Sequence, residues 1–177
     1  MLNVTAETRC LVSEGGAAHR GDVAAMAALC RPTVGGELQG GLGNIGEFGS
    51  RDAIRVAKQE LVEALPATGT AVLNADDSRV RTMAEHTPAQ VIWFGRSEDS
   101  DVRILDVSRQ GARLRVVLRT PDTEQLSVEV GLVGDHNAWN VAAAVAAARV
   151  VGVSDAQIAA GLATVHHGER WRKQLMP

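Results

Sequence analysis

The sequence predicts an α/β fold, in which flanking helices cover a mainly parallel β-sheet that a small antiparallel meander extends. Two observations lead to this prediction. Through the first 94 residues, short apolar segments typical of buried strands alternate with segments of helical periodicity. After residue 100, apolar and polar residues alternate along the chain, as they do in strands with one solvated face. The sequence contains no internal repeat.

The first half of the chain is predicted to form βα units, in which a helix follows each strand. A helix that starts at residue 21 is stopped by Pro32, because proline cannot continue a helix. The strand that follows is diluted by glycine and is therefore weak. Helices between strands give a parallel sheet, so these segments predict its parallel part. The predicted strands are 9–13, 33–38, 70–74 and 90–94, and the predicted helices are 21–30, 50–65 and 77–86.

The second half predicts a meander and then two helices. A hairpin turns at Arg109-Gln110-Gly111 between two strands with one wet face. The last helix begins after Ser154, a good N-cap. Residues 165–177 change character and look like the start of another unit. The predicted elements are strands 101–108, 112–120 and 127–134, and helices 137–151 and 154–164.

Composition narrows the class of protein. A chain of 177 residues with 45% hydrophobic and 22% charged residues suits one globular domain with a sizeable core. The net charge of −3 gives no reason to expect nucleic acid or a membrane surface as partner. No apolar run reaches membrane-spanning length, and the N-terminus does not resemble a signal peptide. Cys10 and Cys30 are unpatterned, so we expect buried thiols in a reducing, cytoplasmic compartment.

Lys58 stands out in the helix that begins near Ser50. The 18 basic residues include only two lysines, Lys58 and Lys173. Lys58 falls on the apolar stripe of the helix or at its edge, where it either extends its amine to water or meets a partner for its charge. The stripe consists of Ile54, Ala57, Leu61 and Leu65, and the opposite side of Arg55, Gln59 and Glu63.

Two loops of the first half are candidate ligand sites. Glu14 is predicted to end a strand before a glycine turn, where open parallel sheets bind ligands and a carboxylate can hold magnesium. The alternative is an acidic residue of a surface loop. Residues 39–50 contain five glycines, which permit a close approach to a ligand. They do not form a phosphate-binding loop, because no Lys-Ser or Lys-Thr follows.

Two further candidates lie near the C-terminus. His136, Asn137 and Asn140 crowd the entrance of the alanine-rich helix, where side-chain amides suit an adenine edge. The alternative is that Asp135 or Asn137 caps this helix. Arg170, in residues 168–172, could bind phosphate or belong to a solvated terminus. Two more polar residues, Asn74 and Asp77, are predicted to organise the turn after their strand.

These segments, taken in order, resemble the central ATP-binding domain of the Mur ligases, with P-loop-NTPase-like architecture. Residues 9–35 are similar to a family segment in which a strand ends at a magnesium-binding glutamate. Residues 41–77 are similar to one with a glycine-rich turn and a lysine-bearing helix before Asn-x-Asp-Asp. Residues 134–148 resemble the adenine-contacting Gly-x-His-Asn-x-x-Asn helix. The segment 168–172 resembles the start of the family's C-terminal domain.

The resemblance implies an ATP-dependent peptide ligase of peptidoglycan precursor synthesis. The expected reaction adds D-alanyl-D-alanine to UDP-N-acetylmuramoyl-tripeptide through an acyl phosphate. ATP and Mg²⁺ are the implied cofactors, and the UDP-muramoyl-peptide is the implied substrate. The resemblance implies that Glu14, Lys58 and Asn44 bind the metal ion. It also implies that Lys58 is carbamylated, because burial lowers the pKa of a lysine and so provides the neutral amine that this reaction needs. His136, Asn137 and Asn140 are assigned to adenine, and Arg170 to phosphate.

The sequence departs from the family in three places. It contains no Gly-x-x-Gly-Lys-Ser/Thr loop, so we expect the first βα unit of the sheet to be missing. Asn44 stands where the family has a histidine. We expect residues 1–166 to be a partial central domain and residues 167–177 to begin a truncated C-terminal domain, without the N-terminal domain.

We therefore expect the isolated chain not to catalyse ligation. Two alternatives remain open. One is a non-catalytic remnant or an interaction module that associates with an intact ligase or with the missing domains. The other is a fragment of the related folylpolyglutamate synthase family, which shares the domain plan but matches the sequence of residues 47–61 and 134–140 less well.

Overall fold

The computed structural model describes residues 5–16, 19–39 and 51–165. The described part contains six strands and five α-helices, with a short 3₁₀ turn at Ala84–His86. The strands are β1 (Val34–Glu37), β2 (Thr70–Asn74), β3 (Gln90–Gly95), β4 (Val102–Gln110), β5 (Arg113–Arg119) and β6 (Leu126–Val130). The helices are α1 (Asp22–Cys30), α2 (Arg51–Glu63), α3 (Ser78–Met83), α4 (Asn137–Val150) and α5 (Asp155–Ala163).

The strands form one mixed sheet in the order β1-β2-β3-β4-β5-β6. The first four strands run parallel, and β4, β5 and β6 form the antiparallel meander. The predicted fold class is therefore confirmed, and the parallel part and the meander belong to the same sheet. The carboxyl ends of β1, β2 and β3 lie side by side at one edge, as parallel pairing requires.

Helices cover both faces of the parallel part. Along β2 the side chains alternate: Val72 joins the core under α4, whereas Ala71 and Leu73 join the core under α2 and α3. All five residues of β2 are buried, as expected of a strand covered on both faces. None of the helices in the described ranges is long and apolar enough to cross a membrane.

The meander has one covered face and one wet face, as predicted. Leu114, Val116 and Leu118 of β5 are buried and pack with residues of α4 and α5. The intervening residues are half-exposed; among them, Arg115 donates from Nε to the hydroxyl of Ser127 on β6 at 3.0 Å. The alternation of residue types along the sequence is therefore sufficient to orient these strands.

The predicted strand 9–13 is wrong. Residues 8–16 have no regular secondary structure, and the side chains of Leu11 and Val12 are 56% and 93% exposed. A strand needs a neighbour for its hydrogen bonds, and residues 9–13 pair with none of the six strands of the described sheet. Cys10 and Cys30 are free thiols and exposed, so the expectation of buried thiols is also wrong.

Helix α2 buries a broader face than its apolar stripe predicts. Gln59 and Glu60 are both buried, although Gln59 lies on the side of α2 opposite the predicted apolar stripe. Helix α1 packs against α2 and contacts it through Glu60. The Glu60 carboxylate accepts hydrogen bonds from the backbone N–H of Gly21 at 2.8 Å and of Ala24 at 3.1 Å. Glu60 thus supplies the N-terminal cap that Gly21, which has no side chain, cannot.

Replacing Arg149 with methionine is expected to destabilise the protein by about 1.5 kcal/mol. The guanidinium forms ion pairs with Asp122 and Asp155 and joins α4 to the start of α5. Burial raises the pKa of Asp155, but hydrogen bonds from Thr123, Thr120 and Arg149 outweigh it and lower the pKa overall. Without Arg149, the buried carboxylate keeps its two hydroxyl donors and loses its counter-charge. Urea unfolding followed by circular dichroism measures the effect.

A matched control is the exposed pair of Arg109 and Asp135. Arg109 Nε lies 2.9 Å from Asp135 Oδ1, with side chains 61% and 64% exposed. Since exposed ion pairs contribute about 0–1 kcal/mol, Arg109→Met should cost less than Arg149→Met. Equal losses in both variants would contradict the role assigned to burial.

Candidate functional site

Polar side chains connect the carboxyl ends of β1, β2 and β3. Asn74, the last residue of β2, donates from Nδ2 to the carbonyl of Leu38 at 2.7 Å and accepts from the N–H of Asp76 at 2.9 Å. Asp77 accepts from the N–H groups of Arg79 and Val80 and is the N-cap of α3. The prediction that Asn74 and Asp77 organise this turn is confirmed.

Asp76 links this turn to β3 and to α4. Its Oδ2 accepts from the indole Nε1–H of Trp139 at 2.7 Å and from the N–H of Arg96 at 2.8 Å. Its Oδ1 accepts from the N–H of Ser97 at 2.9 Å. Gly95 makes room for this carboxylate: its φ is +145°, and a Cβ there would lie 2.8 Å from the Asp76 carboxylate. Asp76 was not among the predicted site residues, although it lies in the Asn-x-Asp-Asp segment.

Two arginines lie over the two tryptophans nearby. The Arg96 guanidinium is 5.4 Å from the ring centroid of Trp139. The Arg81 guanidinium is 5.0 Å from the ring centroid of Trp93. Both distances are within the range of cation–π attraction. Arg81 also forms an ion pair with Asp99. The loop after β3 therefore contacts α4 through both Asp76 and Arg96.

Lys58 meets a partner for its charge, which is one of the two possibilities that its position on α2 left open. Its Nζ donates to Oε2 of Glu37 at 3.1 Å and to the carbonyl of Gln39 at 2.9 Å. Glu37 is the last residue of β1, so the pair lies at the carboxyl end of that strand. The lysine side chain is 34% exposed, whereas that of Glu37 is 10% exposed. Lys58 thus lies at the edge of the apolar stripe.

Burial dominates the environment of Glu37. Burial raises the pKa of its carboxyl, and this effect outweighs the charge and hydrogen bond of Lys58, which lower it. The sequence held a signal for this residue, because Glu37 is the one acidic residue in the predicted strand 33–38. Sequence reasoning looked for the partner of Lys58 in loops and missed it.

The other predicted metal-side residues are not seen together with Lys58. Glu14 is exposed and follows no strand, so the prediction that it ends one is wrong. Asn44 and Arg170 lie outside the described residues. Within residues 5–16, 19–39 and 51–165, no group of three or more His, Cys, Asp or Glu side chains could hold a metal ion. The ammonium of Lys58 fills the space between two oxygen atoms, so the described residues, as they stand, do not fit Mg²⁺.

The entrance of α4 is polar and open. Asn140 donates from Nδ2 to Oδ1 of Asn137 at 2.9 Å, and Asn137 donates to the carbonyl of Val133 at 2.9 Å. His136 is the N-cap residue, exposed, with no side-chain capping bond. Capping by Asp135 or Asn137 was therefore the wrong alternative. His136, Asn137 and Asn140, which were predicted to contact adenine, lie at the first turn of α4 and close to Trp139 in sequence.

Comparison with known proteins agrees with this architecture. The family model described as "Mur ligase middle domain" matches residues 1–148. A six-stranded sheet with helices on both faces and polar groups gathered at its carboxyl edge is the fold expected of that family. The chain belongs to the Mur ligase middle-domain family, and the resemblance seen in the sequence is confirmed.

Individual relatives point to one kind of Mur ligase. The chain is 39% identical over 176 residues to the UDP-N-acetylmuramoyl-tripeptide--D-alanyl-D-alanine ligase of Mycobacterium tuberculosis (strain ATCC 25618 / H37Rv), covering 99% of this chain and 34% of that protein. MurF from Acinetobacter baumannii superimposes with a TM-score of 0.80 at 30% identity, covering 87% of this chain and 34% of that one. The chain spans about a third of the length of the curated relatives it matches.

A third structure shares the fold. MurF ligase from Thermotoga maritima, in complex with ADP, has a TM-score of 0.70 at 23% identity and covers 80% of this chain and 33% of that one. Between the two families that the sequence left open, the names of the relatives favour the Mur ligases.

Proposed function

We propose that this chain is the ATP-binding part of a ligase that adds D-alanyl-D-alanine to UDP-N-acetylmuramoyl-tripeptide in peptidoglycan precursor synthesis. The observation that carries the proposal is the 39% identity over 99% of the chain to an enzyme of that name. ATP is the proposed nucleotide and the UDP-muramoyl-peptide the proposed substrate. The cytoplasm, where this precursor is made, is the proposed location.

His136, Asn137 and Asn140 are the residues we propose for the adenine base, and Arg170 for phosphate. Support for the first three comes from their place at the entrance of α4, which Trp139 and Asp76 join to the carboxyl ends of β2 and β3. Ligands of open parallel sheets bind at that edge. Amide side chains there can donate to and accept from a purine edge.

Mg²⁺, with Glu14, Lys58 and Asn44 on the metal side, remains a proposal that rests on the family resemblance. The same holds for carbamylation of Lys58. The contact with Glu37 bears on both, because a carbamate at Lys58 would place a second anion beside a buried carboxylate. Two anions at that distance are unfavourable unless a cation lies between them.

Nucleotide binding is the first test of the proposal. Calorimetric titration of the chain with ADP and Mg²⁺ is expected to give saturable binding, which Asn140→Ala should weaken about fivefold through loss of a hydrogen bond. Gln125→Ala, which removes an exposed amide just before β6, at the opposite end of that strand from α4, is the control and should bind as the wild type does. Absence of saturable binding by the wild type would favour the non-catalytic alternative.

Ligation is the second readout. With the tripeptide precursor, D-alanyl-D-alanine, ATP and Mg²⁺, a polypeptide of these 177 residues is expected to release no phosphate. The reason is that its sequence holds no Gly-x-x-Gly-Lys-Ser/Thr loop to cradle the β- and γ-phosphates. Turnover by this polypeptide would show that another segment performs that task.

A further inference from the structure

We propose that Asp76 is a positioning residue, which fixes the entrance of α4 against the carboxyl ends of β2 and β3 and so sets how the purine base is held. The inference rests on the nucleotide binding proposed above. The inference adds two residues, Asp76 and Trp139, to the proposed nucleotide site. The family motif assigns neither of them a contact with the base, and Trp139 occupies a variable position of Gly-x-His-Asn-x-x-Asn.

Hydrogen-bond donors from three residues converge on the Asp76 carboxylate. Oδ2 of Asp76 accepts both the indole N–H of Trp139 and the backbone N–H of Arg96, at 2.7 Å and 2.8 Å. A single oxygen atom thus joins a helix to the loop after a strand. Hydrogen bonds to a carboxylate are charge-assisted and about twice as strong as neutral ones. The N–H of Ser97 holds the other oxygen at 2.9 Å, so the carboxylate cannot turn without breaking a bond.

The backbone at the end of β3 accommodates this carboxylate. Gly95, the last residue of β3, has a φ of +145°, and any Cβ there would lie 2.8 Å from the Asp76 carboxylate. Glycine is therefore required both for the backbone conformation and for the close approach. Because β3 ends in this way, the N–H groups of the next two residues point at one anion, as in an anion-binding nest.

Trp139 lies beside the residues that we propose for the adenine base. Trp139 lies three residues after His136 and is adjacent to Asn140, and residues three apart are neighbours on a helix surface. Fixing the indole by its N–H and by the Arg96 guanidinium over its ring therefore limits rotation of the first turn of α4. The amides of Asn137 and Asn140, themselves hydrogen-bonded at 2.9 Å, are then presented in one orientation.

Two variants test the inference. Trp139→Phe keeps an aromatic ring and removes the N–H donor, and Asp76→Asn replaces one acceptor oxygen by an amide. Each should weaken ADP binding about five- to tenfold and reduce the preference for ADP over IDP, which differ at the base edge. Calorimetric titration of both nucleotides gives the preference as a ratio of Kd values. Loss of fold stability alone would not change that ratio.

The matched control is Trp93→Phe. Trp93 also lies under an arginine, with Arg81 at 5.0 Å, and its described contacts do not reach α4. In Trp93→Phe, the ratio of the Kd values for ADP and IDP should equal that of the wild type. Equal weakening of ADP and IDP in the Trp139 and Asp76 variants would overturn the inference, because it would indicate a merely structural role.

Amide hydrogen exchange separates failure of this inference from failure of the proposed function. Exchange at residues 134–140 should become faster in Trp139→Phe and Asp76→Asn, but not in Trp93→Phe, with or without nucleotide. If the wild type binds neither nucleotide, the proposed function fails, and the exchange rates still decide whether Asp76 positions α4. Unchanged exchange in both variants would overturn the positioning role.

Discussion

Replacing Gly95 with alanine is expected to destabilise the protein by about 3 kcal/mol, roughly twice the loss expected for Arg149→Met. Two costs add. A φ of +145° is strained for any residue with a Cβ, and that Cβ would lie 2.8 Å from the Asp76 carboxylate. The carboxylate cannot move aside cheaply, because Trp139, Arg96 and Ser97 all donate to it. Guanidinium unfolding measured by circular dichroism gives the change in free energy.

Gly111→Ala is the control for the backbone cost alone. Gly111 also has a positive φ, +62°, but a Cβ there would meet nothing within 4 Å. Its replacement should therefore cost only the strain of a left-handed residue, about 1 kcal/mol. If both alanine variants lost the same stability, the close approach of Asp76 to Gly95 would have no energetic weight. Faster amide exchange at residues 134–140 is expected in the Gly95 variant alone.

Periodicity was sufficient to predict most of the fold. Along β5 the buried positions are those that alternation assigns to the core, since one side of the strand faces α4 and α5 and the other faces water. The strand 70–74 was predicted at its observed bounds, because its three central residues, which are covered on both faces, form a continuous apolar run. Ser154 caps α5 with a complete capping box, a signal that is local in sequence.

The wrong predictions have a common cause: the burial of a residue depends on which distant segments pack against it, and a local sequence pattern does not contain that information. The apolar run at residues 10–12 looks like a strand, but it pairs with none of the six strands of the described sheet, and Val12 is 93% exposed. Glu60 is a charged residue of α2, but it is buried because its carboxylate caps α1, a contact that the sequence of α2 alone does not reveal. Likewise, the candidate site depends on contacts across long stretches of chain, such as Asp76 with Trp139, which no local pattern predicts.

Lys58 shows both sides of this limit. Its place at the edge of an apolar stripe left open whether the amine extends to water or meets a partner, and the structure provides a partner in Glu37, 21 residues away. The sequence alone could not choose between a carboxylate of β1 and one of a loop, because the choice depends on which strand α2 packs against. The pair also decides how this part of the site responds to pH.

Replacing Lys58 with methionine is expected to destabilise the protein by about 2 kcal/mol at neutral pH. Breaking a buried ion pair by removing one partner costs about 3–5 kcal/mol, and less here because the lysine is a third exposed. The cost arises on Glu37, whose carboxylate would stay buried without its counter-charge. Methionine preserves most of the aliphatic contact along α2, so the variant isolates the charge. Chemical unfolding at about pH 5 and about pH 8 measures it.

The pH dependence follows from the raised pKa of Glu37. A carboxyl whose pKa is higher in the folded protein than its usual value of 4.5 contributes stability that is fully present below 4.5 and is lost as pH rises through the folded-state pKa. Lys58 lowers that pKa, so Lys58→Met raises it further and extends the loss to higher pH. The variant should therefore differ most from the wild type at about pH 8 and least at about pH 5.

Glu37→Gln completes a double-mutant cycle with Lys58→Met. Glutamine is uncharged, so the double variant should recover most of the stability that Lys58→Met loses and should show little of its pH dependence. The coupling between the two substitutions, measured at each pH, then isolates the ion pair from the packing of either side chain. A Lys58→Met variant with the same loss at both pH values would mean that Glu37 is not the residue that bears the cost.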